Sequence, residues 1–292
     1  MYKLFQGLED FGFDDLKDQD LDLFSENKNE KEVTEKNINL DDYIFLKTFE
    51  CPVCEREFSE RVVKKSKLRI LSHDTDLKPV FENIIPAIYD VIHCTNCGYT
   101  ALTKFFDKIV GTRAELIRQK VTPDFKPKEY PSITLSLDDG IERHKLALYN
   151  ALVKKAKSDE KAFICMKLAW LYRDKSDKIN ELLFISAACQ GLVASIDSRH
   201  PTVCDMDKNT VRFLIACFYK SLGNSQEAYK WLLPLISSKT LHHQTRQRVM
   251  DLKYEIQQEK QELEPKKEVQ AEEASSKPKI SFRERILGVA KD

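Results

Sequence analysis

The chain has 292 residues, of which 42% are hydrophobic and 32% charged, enough for one large domain or two medium ones. Its 47 basic and 47 acidic side chains cancel, which argues against a general nucleic-acid binder with a basic excess. No apolar run approaches the roughly 18–20 residues of a transmembrane helix, and the first residues lack a signal-peptide pattern, so we predict a cytoplasmic protein without membrane attachment. In a reducing cytoplasm, we expect no disulfides among the eight cysteines, and cysteines that occur in pairs indicate metal or redox chemistry.

Residues 1–40 are predicted to be a disordered acidic leader, because residues 1–42 contain 13 acidic side chains and 5 lysines. A short apolar set within the leader is typical either of a docking segment or of a loosely ordered terminus, and we favour the terminus. Its members are Leu4, Phe5, Leu8, Phe11, Phe13 and Leu16.

Residues 41–122 are predicted to be a small zinc-ribbon-like β domain with a trailing helix. Two C-x-x-C pairs, separated by 39 residues, can each place two thiolates at the tip of a tight turn. Two such turns together offer the four sulfurs of a tetrahedral site. The sequence therefore predicts one structural Zn²⁺ bound by Cys51, Cys54, Cys94 and Cys97.

Two other interpretations of these cysteines stay open. A rubredoxin-like iron site uses the same four thiolates, but nothing in the chain suggests an electron-transfer partner. A thioredoxin-type redox pair needs one C-x-x-C at a helix N-terminus, and two matched pairs do not fit that pattern. Zinc with four thiolates has no open position to activate water, so we expect the site to stabilise the domain rather than to catalyse.

The strand pattern supports this domain. Residues 61–71 alternate basic and apolar side chains and predict one strand, and residues 87–93 predict a second strand that leads into Cys94. Gly98 can supply the positive φ that a tight turn of this kind often needs. We interpret His93 as a strand residue with its ring toward solvent rather than as a metal ligand.

Two polar groups near the cysteines allow functional hypotheses. His73, Asp74 and Asp76 are typical of a capped turn, and the alternative is an acid/base or second metal cluster. A basic segment is typical of a solvated strand face, and the alternative is a nucleic-acid contact. Its members are Lys64, Lys65, Lys67 and Arg69.

Prolines recur in residues 123–137, which we interpret as a linker, and helical periodicity dominates residues 138–260. The segment from Leu222 to Ala228 resembles the corner between the helices of a tetratricopeptide repeat, because glycine ends one helix and alanine packs in the next. Residues 138–260 are therefore predicted to be an all-α domain of tetratricopeptide-like helical hairpins. Residues 261–292 are rich in Glu, Lys and Gln at their start and are predicted to be a disordered charged tail.

The remaining cysteines are scattered through the helical region and are predicted to be small buried hydrophobic residues. These four cysteines are Cys165, Cys189, Cys204 and Cys217.

The chain contains no Gly-rich phosphate loop, H-E-x-x-H or nucleophile elbow, so we assign no catalytic or organic-cofactor residues.

An ordered series of short motifs resembles an uncharacterised bacterial family, domain of unknown function 2225, over residues 45–235. The motifs are Cys51-Pro-Val-Cys54, Lys67-Leu-Arg-Ile, Asp74-Thr-Asp76, Tyr89-Asp-Val, Cys94-x-x-Cys97-Gly98-Tyr99, Lys145-Leu-Ala-Leu and Ala169-Trp-Leu-Tyr-Arg173. His73 departs from the arginine or lysine of the family pattern. The resemblance implies a bacterial cytoplasmic protein with a zinc-knuckle domain and a helical region, and it implies no activity.

The sequence thus predicts an α+β protein in which a zinc-stabilised module is joined to a helical-repeat module that binds a protein or peptide. This interaction or adaptor role is the leading hypothesis, because no catalytic constellation is present. The alternatives are a nucleic-acid-binding zinc ribbon that uses the basic segment, and a metal-dependent enzyme that uses His73, Asp74 and Asp76.

Overall fold

The structure, a computed structural model, describes residues 39–130, 132–197 and 202–275. The calls on the leader before residue 39 and on the end of the tail after residue 275 lie outside these residues. Within them, short antiparallel sheets come first and helices follow, so the α+β class predicted from the sequence is confirmed.

Eight short strands in the described residues form four separate two-stranded antiparallel sheets, each a hairpin of consecutive strands. The hairpins do not join into one continuous sheet. An isolated two-stranded hairpin is too small to form its own core, so each one depends on packing against its neighbours. The strands are β1 (Ile44–Glu50), β2 (Glu57–Val63), β3 (Ile70–His73), β4 (Pro79–Phe81), β5 (Val91–His93), β6 (Thr100–Leu102), β7 (Thr202–Val203) and β8 (Met206–Asp207).

The single strand predicted over residues 61–71 is wrong. β2 ends at Val63, a 3₁₀ turn covers Lys65–Lys67, and the chain becomes extended again only at Ile70. Ile70 is exposed, so the alternating pattern does not report one half-buried face. The pattern misled because two separate strands happen to keep the same parity across the turn.

Seven helices are present in the described residues, and all but the first follow residue 136. Side chains cap four of them: Ser136 and Asp139 form a capping box at α2, and Asp177, Asp207 and Asn224 cap α4, α5 and α6. The helices are α1 (Gly111–Lys120), α2 (Leu137–Val153), α3 (Ser158–Asp174), α4 (Lys178–Ile196), α5 (Lys208–Ser221), α6 (Ser225–Ile236) and α7 (His243–Ser275).

Three helix ends share one backbone geometry. Lys155, Ser176 and Gly223 have φ of 52°, 61° and 75°, in the left-handed region. At each of them the N–H bonds the carbonyl three residues earlier, and the next N–H bonds the carbonyl five residues earlier. This is the Schellman motif, which satisfies the last carbonyls of α2, α3 and α5 and turns the chain into the following helix. Only Gly223 was recognisable in the sequence, because lysine and serine rarely occupy this conformation.

The described residues from Leu40 onward belong to one compact unit. One hydrophobic cluster contains Ile44 of β1, Val91 of β5, Ile141 of α2 and Leu168 of α3, so the hairpins and the helices share a core. Leu135, in the stretch predicted to be a linker, is buried in the same cluster, and its N–H donates to the Tyr89 hydroxyl at 2.9 Å. The predicted division into two domains stays a prediction about independent folding, and these contacts argue for a single folding unit.

The last helix is longer than the helical region predicted to end at residue 260. α7 continues to Ser275 and covers the first part of the predicted disordered tail. Glu, Lys and Gln are good helix formers, so their abundance in residues 258–273 suits a helix as well as a disordered segment.

Within the residues that the structure describes, α4 is the one helix whose length and composition would allow it to cross a membrane. Its Ile185 and Leu192 have no exposed surface and lie in a cluster with side chains of α3 and α5. One face of α4 therefore packs in the core.

Candidate metal centre

The four predicted ligands come together. The sulfur atoms of Cys51, Cys54, Cys94 and Cys97 all lie within 4.8 Å of one another, with 3.6 Å between Cys51 and Cys97 and 3.7 Å between Cys54 and Cys94. A tetrahedral metal with sulfur at about 2.3 Å separates its ligands by about 3.8 Å. The spacing of the thiols therefore fits one metal ion.

Two hairpin tips supply the cysteines with the same local fold. We call residues 51–56, between β1 and β2, knuckle 1, and residues 94–99, between β5 and β6, knuckle 2. In each knuckle, the backbone N–H of the fifth residue donates to the carbonyl of the first residue, at 2.8 Å in knuckle 1 and 3.0 Å in knuckle 2. The N–H of the first residue donates to the carbonyl of the sixth, at 3.0 and 2.9 Å. The fifth residue has positive φ in both, 60° at Glu55 and 77° at Gly98. The prediction for Gly98 is confirmed, and knuckle 1 reaches the same conformation without a glycine.

Side chains from beyond the hairpins hold the knuckle carbonyls. Arg118 of α1 donates to the Val53 carbonyl at 2.7 Å, and the Thr122 hydroxyl donates to the Cys97 carbonyl at 3.1 Å. The Asn150 amide of α2 donates to the Gly98 carbonyl at 3.3 Å. Because these groups orient the backbone that carries the thiols, the ligand geometry depends on α1 and α2 as well as on the two turns.

The thiols are crowded enough to perturb one another. Hydrogen bonds from Cys51 and Cys97 lower the pKa of Cys94 to about 2, and the bond to Cys94 raises the pKa of Cys51 to about 12. The bonds with Cys51 and Cys94 also raise the pKa of Cys97. Four thiolates at this spacing repel one another, so the set retains protons unless a cation compensates the charge. The arrangement is therefore suited to exchanging protons for a metal ion.

A buried ion pair lies beside the cysteines and was not predicted. Glu60 of β2 is 3% exposed and Arg143 of α2 is 2% exposed, and Arg143 Nη2 donates to the Glu60 carboxylate and, at 2.9 Å, to the Val91 carbonyl. The same carboxylate accepts the N–H of His93 at 3.1 Å. Glu60 and Arg143 thus connect both knuckle hairpins to α2. The available signal in the sequence was Arg143, a charged residue close to the apolar position Ile141 of the predicted helix.

The solvent-side interpretation of His93 is wrong. Its ring is buried, Nδ1 lies 2.8 Å from the Thr100 hydroxyl, and the ring packs against Phe125. Desolvation lowers the pKa of His93 to about 4, so the imidazole is neutral. All three residues of β5 are buried, so both faces of the strand are covered. An alternating pattern of polar and apolar residues predicts only one buried face and could not indicate this.

His73, Asp74 and Asp76 do not converge on a shared metal or proton. Arg173 of α3 donates to Asp74 at 2.8 Å and to Asp76 at 2.7 and 2.9 Å, while Trp170 Nε1 donates to Asp76 at 3.0 Å. His73 is exposed on β3. The two carboxylates attach the β3–β4 turn to α3, which leaves the metal-dependent enzyme hypothesis without a supporting observation. In the part of the chain that the structure describes, the cysteine cluster is the one group of three or more side chains placed to hold a metal.

The basic segment is partly engaged by local contacts. Lys64 Nζ donates to the Asp42 carbonyl at 3.1 Å, Lys67 lies over the Tyr43 ring, and Arg69 is 3.9 Å from Glu82. These contacts hold three of the four side chains locally, and no observation among the described residues favours the nucleic-acid hypothesis.

The other four cysteines are buried and free, and they lie apart from the metal centre. Burial raises the pKa of each thiol, to about 11 for Cys165 and Cys189 and about 12 for Cys204. Protonated thiols of this kind behave as small hydrophobic side chains.

Comparison with known proteins adds one finding. A protein-family model described as "Uncharacterized protein conserved in bacteria (DUF2225)" matches residues 44–264, from β1 into α7. No curated protein and no solved structure matches the chain. The matched segment contains both knuckles, the Glu60–Arg143 pair and the helices that support them.

Proposed function

Because the chain belongs to the bacterial DUF2225 family, whose members are described only as uncharacterised, we propose its function from its own geometry. The protein binds one structural Zn²⁺ through Cys51, Cys54, Cys94 and Cys97 and acts in the cytoplasm as an interaction or adaptor protein. The observation that carries this proposal is the group of four thiols within 4.8 Å of one another.

The donor set supports zinc in a structural role. Four thiolates suit a soft tetrahedral ion, and they close its coordination sphere against water or substrate. Cys51, Cys94 and Cys97 are buried, so a bound ion is shielded by the hairpins and by α1. The ion would supply the cross-link that two short hairpins, each too small for its own core, otherwise lack.

The backbone supports a zinc-ribbon-like arrangement followed by tetratricopeptide-like hairpins. Two knuckles with the same hydrogen bonds sit at the tips of two antiparallel hairpins. The Schellman corners then join α2 to α3, α3 to α4 and α5 to α6, and Ala228 packs without exposed surface in α6.

An uncovered apolar surface on α4 supports a protein partner. Ile179 is 85% exposed and Leu183 is 61% exposed, and no charged side chain occurs from Leu182 to Ile196. Ile179 and Leu183 lie one helical turn apart on the same face, and contiguous exposed apolar side chains are typical of contact surfaces. α4 is therefore the helix on which we expect the protein or peptide to bind.

Metal analysis tests the first half of the proposal. The full chain, purified under reducing conditions, should contain about one zinc per molecule. Zinc uptake by the metal-free protein should release protons and strengthen as the pH rises, because thiolates are the ligands. A folded sample with no metal would contradict the zinc site. One equivalent of iron, recognised by its visible absorption, would instead support the rubredoxin-like interpretation.

Crosslinking in cells tests the second half. Wild-type protein should form a defined crosslinked complex that Leu183→Glu abolishes, because a charge would have to be buried in the contact. Leu233→Glu, on the exposed side of α6, is the matched control and should leave the complex intact. Loss of the complex in both variants, or its retention in both, would contradict binding on α4.

A further inference from the structure

Two neighbouring hollows lie beside α3, and none of the four cysteines lines them. The inner hollow lies between the β3–β4 hairpin and α3, and the outer hollow lies between α3 and the ends of β2 and β6. The inner hollow has a volume of about 280 Å³ and the outer hollow about 420 Å³. Both are lined by Leu68, Pro86, Asp90 and Lys167, so they meet at these four residues. The outer hollow by itself lies in the size range of ligand pockets, roughly 300–1,000 Å³, and the inner hollow lies just below it.

The inner hollow has apolar walls. Phe81, Ile84 and Ile85 line it from the hairpin and the following turn, and Trp170 lines it from α3. Its two remaining charges, Lys78 and Asp174, bind each other at 2.6 Å and are largely buried. This hollow therefore offers contact area to an apolar group. Asp174 is paired through Oδ1 alone, and its Oδ2 is buried without a hydrogen-bond partner.

The outer hollow carries an excess of positive charge. Lys65, Lys104 and Lys167 line it, with Asp90 as the one acidic side chain of its lining. Lys167 binds Asp90 at 2.6 Å, and Lys104 binds Asp205 at 3.1 Å on the far side. Lys65 is exposed in its 3₁₀ turn and has no ion-pair partner among the described residues. Since Lys167 and Lys104 are paired, Lys65 is the cation of the lining that remains to attract an anion.

We propose that the two hollows bind a linear apolar carboxylate, with its chain in the inner hollow and its carboxylate at Lys65 of the outer hollow. An extended peptide would carry amide groups into the apolar walls, where they would lose their hydrogen bonds to water. A hydrocarbon chain has no such groups and gains free energy with each buried CH₂. This assigns Lys65, the one member of the basic segment that lines a hollow, to ligand binding.

The proposal is independent of the zinc site and of partner binding on α4. None of the four cysteines and no residue of α4 lines either hollow. Failure of the ligand experiment would therefore leave the proposed function standing, and the reverse also holds.

Fluorescence of Trp170 measures the binding. The chain has two tryptophans, so Trp231→Phe in the full-length metal-bound protein leaves Trp170 as the reporter inside the inner hollow. Dodecanoate, added below micelle-forming concentrations, should shift its emission saturably. Butyrate lacks the chain and dodecanol lacks the charge, so both should bind at least about tenfold more weakly.

Substitutions locate the site. Lys65→Glu should weaken dodecanoate binding by about tenfold through charge reversal, and Ala87→Phe should abolish it by filling the inner hollow. Lys126→Glu makes the same charge change at an exposed position that lines neither hollow, and it should bind as the parent does. Circular dichroism and thermal unfolding confirm that each variant stays folded.

Three results would overturn the proposal. The first is the absence of a saturable shift with the folded parent protein. The second is equal affinity for dodecanol and dodecanoate, which would remove Lys65 from recognition. The third is tighter binding of the tetrapeptide Ala-Leu-Phe-Leu with a free carboxylate, which would identify the occupant as a peptide. If Ala87→Phe unfolds, the dodecanoate affinities of Lys65→Glu and Lys126→Glu still test the proposal, and equal affinities would contradict it.

Discussion

Knuckle 1 and knuckle 2 have the same backbone hydrogen bonds and different surroundings. Knuckle 2 is enclosed at its cysteines and at Gly98: Cys94 and Tyr99 have no exposed surface, and Gly98 faces the ring of Phe125, while Thr95 and Asn96 are exposed at the tip. Knuckle 1 is open on one side, where Cys54 is half-buried and Glu55 is exposed. The turn itself is a local structure that either sequence can form, whereas its tolerance of change is decided by what packs on it.

The largest expected effect comes from the ligands themselves. Cys97→Ser should lose the metal and Cys54→Ser should retain part of it, because water can replace a ligand only at the open knuckle. Structural zinc contributes roughly 10–16 kcal/mol in small zinc peptides, so metal loss should loosen both hairpins and the part of α2 that packs on them. Metal content and amide hydrogen exchange measure this. Equal metal loss in both variants would remove the distinction between the knuckles, and unchanged exchange in α2 would support two independent domains.

The buried pair should affect both knuckles alike. Arg143→Met leaves the Glu60 carboxylate buried without a cation and should destabilise the protein by about 3–5 kcal/mol in urea unfolding. Hydrogen exchange should rise in β1–β2 and in β5–β6 together, since Glu60 contacts both hairpins.

Lys128→Met is the control for that experiment, because the Lys128–Glu142 pair is exposed and such pairs contribute little. The double variant Glu60→Leu with Arg143→Met should recover much of the loss. Exchange that rises in one hairpin alone would contradict the connecting role of Glu60.

The fifth position of the knuckles should give opposite signs. Gly98→Ala adds a Cβ in the left-handed region, 2.6 Å from the Phe125 ring, and should cost roughly 2–4 kcal/mol. Glu55→Gly relieves the same backbone strain at an open position, so its effect should lie between no change and a gain of about 1 kcal/mol. Thermal unfolding of the metal-bound protein measures both.

Phe125→Ala separates the two causes at Gly98. Combined with Gly98→Ala, it should remove the part of the cost that comes from the overlap and leave the part that comes from φ. Identical costs for Gly98→Ala in both backgrounds would show that the enclosure of knuckle 2 has no influence.

The smallest effects should come from the side chains that hold single knuckle carbonyls. Thr122→Val removes the bond to the Cys97 carbonyl, and Arg118→Gln removes the bond to the Val53 carbonyl. Each should cost about 0.5–1.5 kcal/mol, with the larger value at the less exposed Thr122. Urea unfolding compares the two, and a larger cost at Arg118 would reverse the order expected from burial.

Much of the centre could be predicted from the sequence because it is local. The spacing of Cys51 to Cys54 and of Cys94 to Cys97 defines two turns, and Gly98 marks the positive φ of one of them. Glu55 does the same in the other without a glycine, and Lys155 and Ser176 do so at helix ends. Those positions carry no local signal, since the surrounding structure supplies the free energy that keeps a non-glycine residue there.

The amino-acid sequence by itself determined the two cysteine turns, the helical character of the second half, the α+β class and the family, because periodicity, capping and cysteine spacing act within a few residues. The tertiary structure alone decided that the hairpins and helices share one core, that His93 is buried, and that Asp74 and Asp76 bind Arg173. These depend on contacts between residues tens of positions apart, such as Glu60 with Arg143. The burial that makes those contacts strong has no counterpart in the local pattern of the chain.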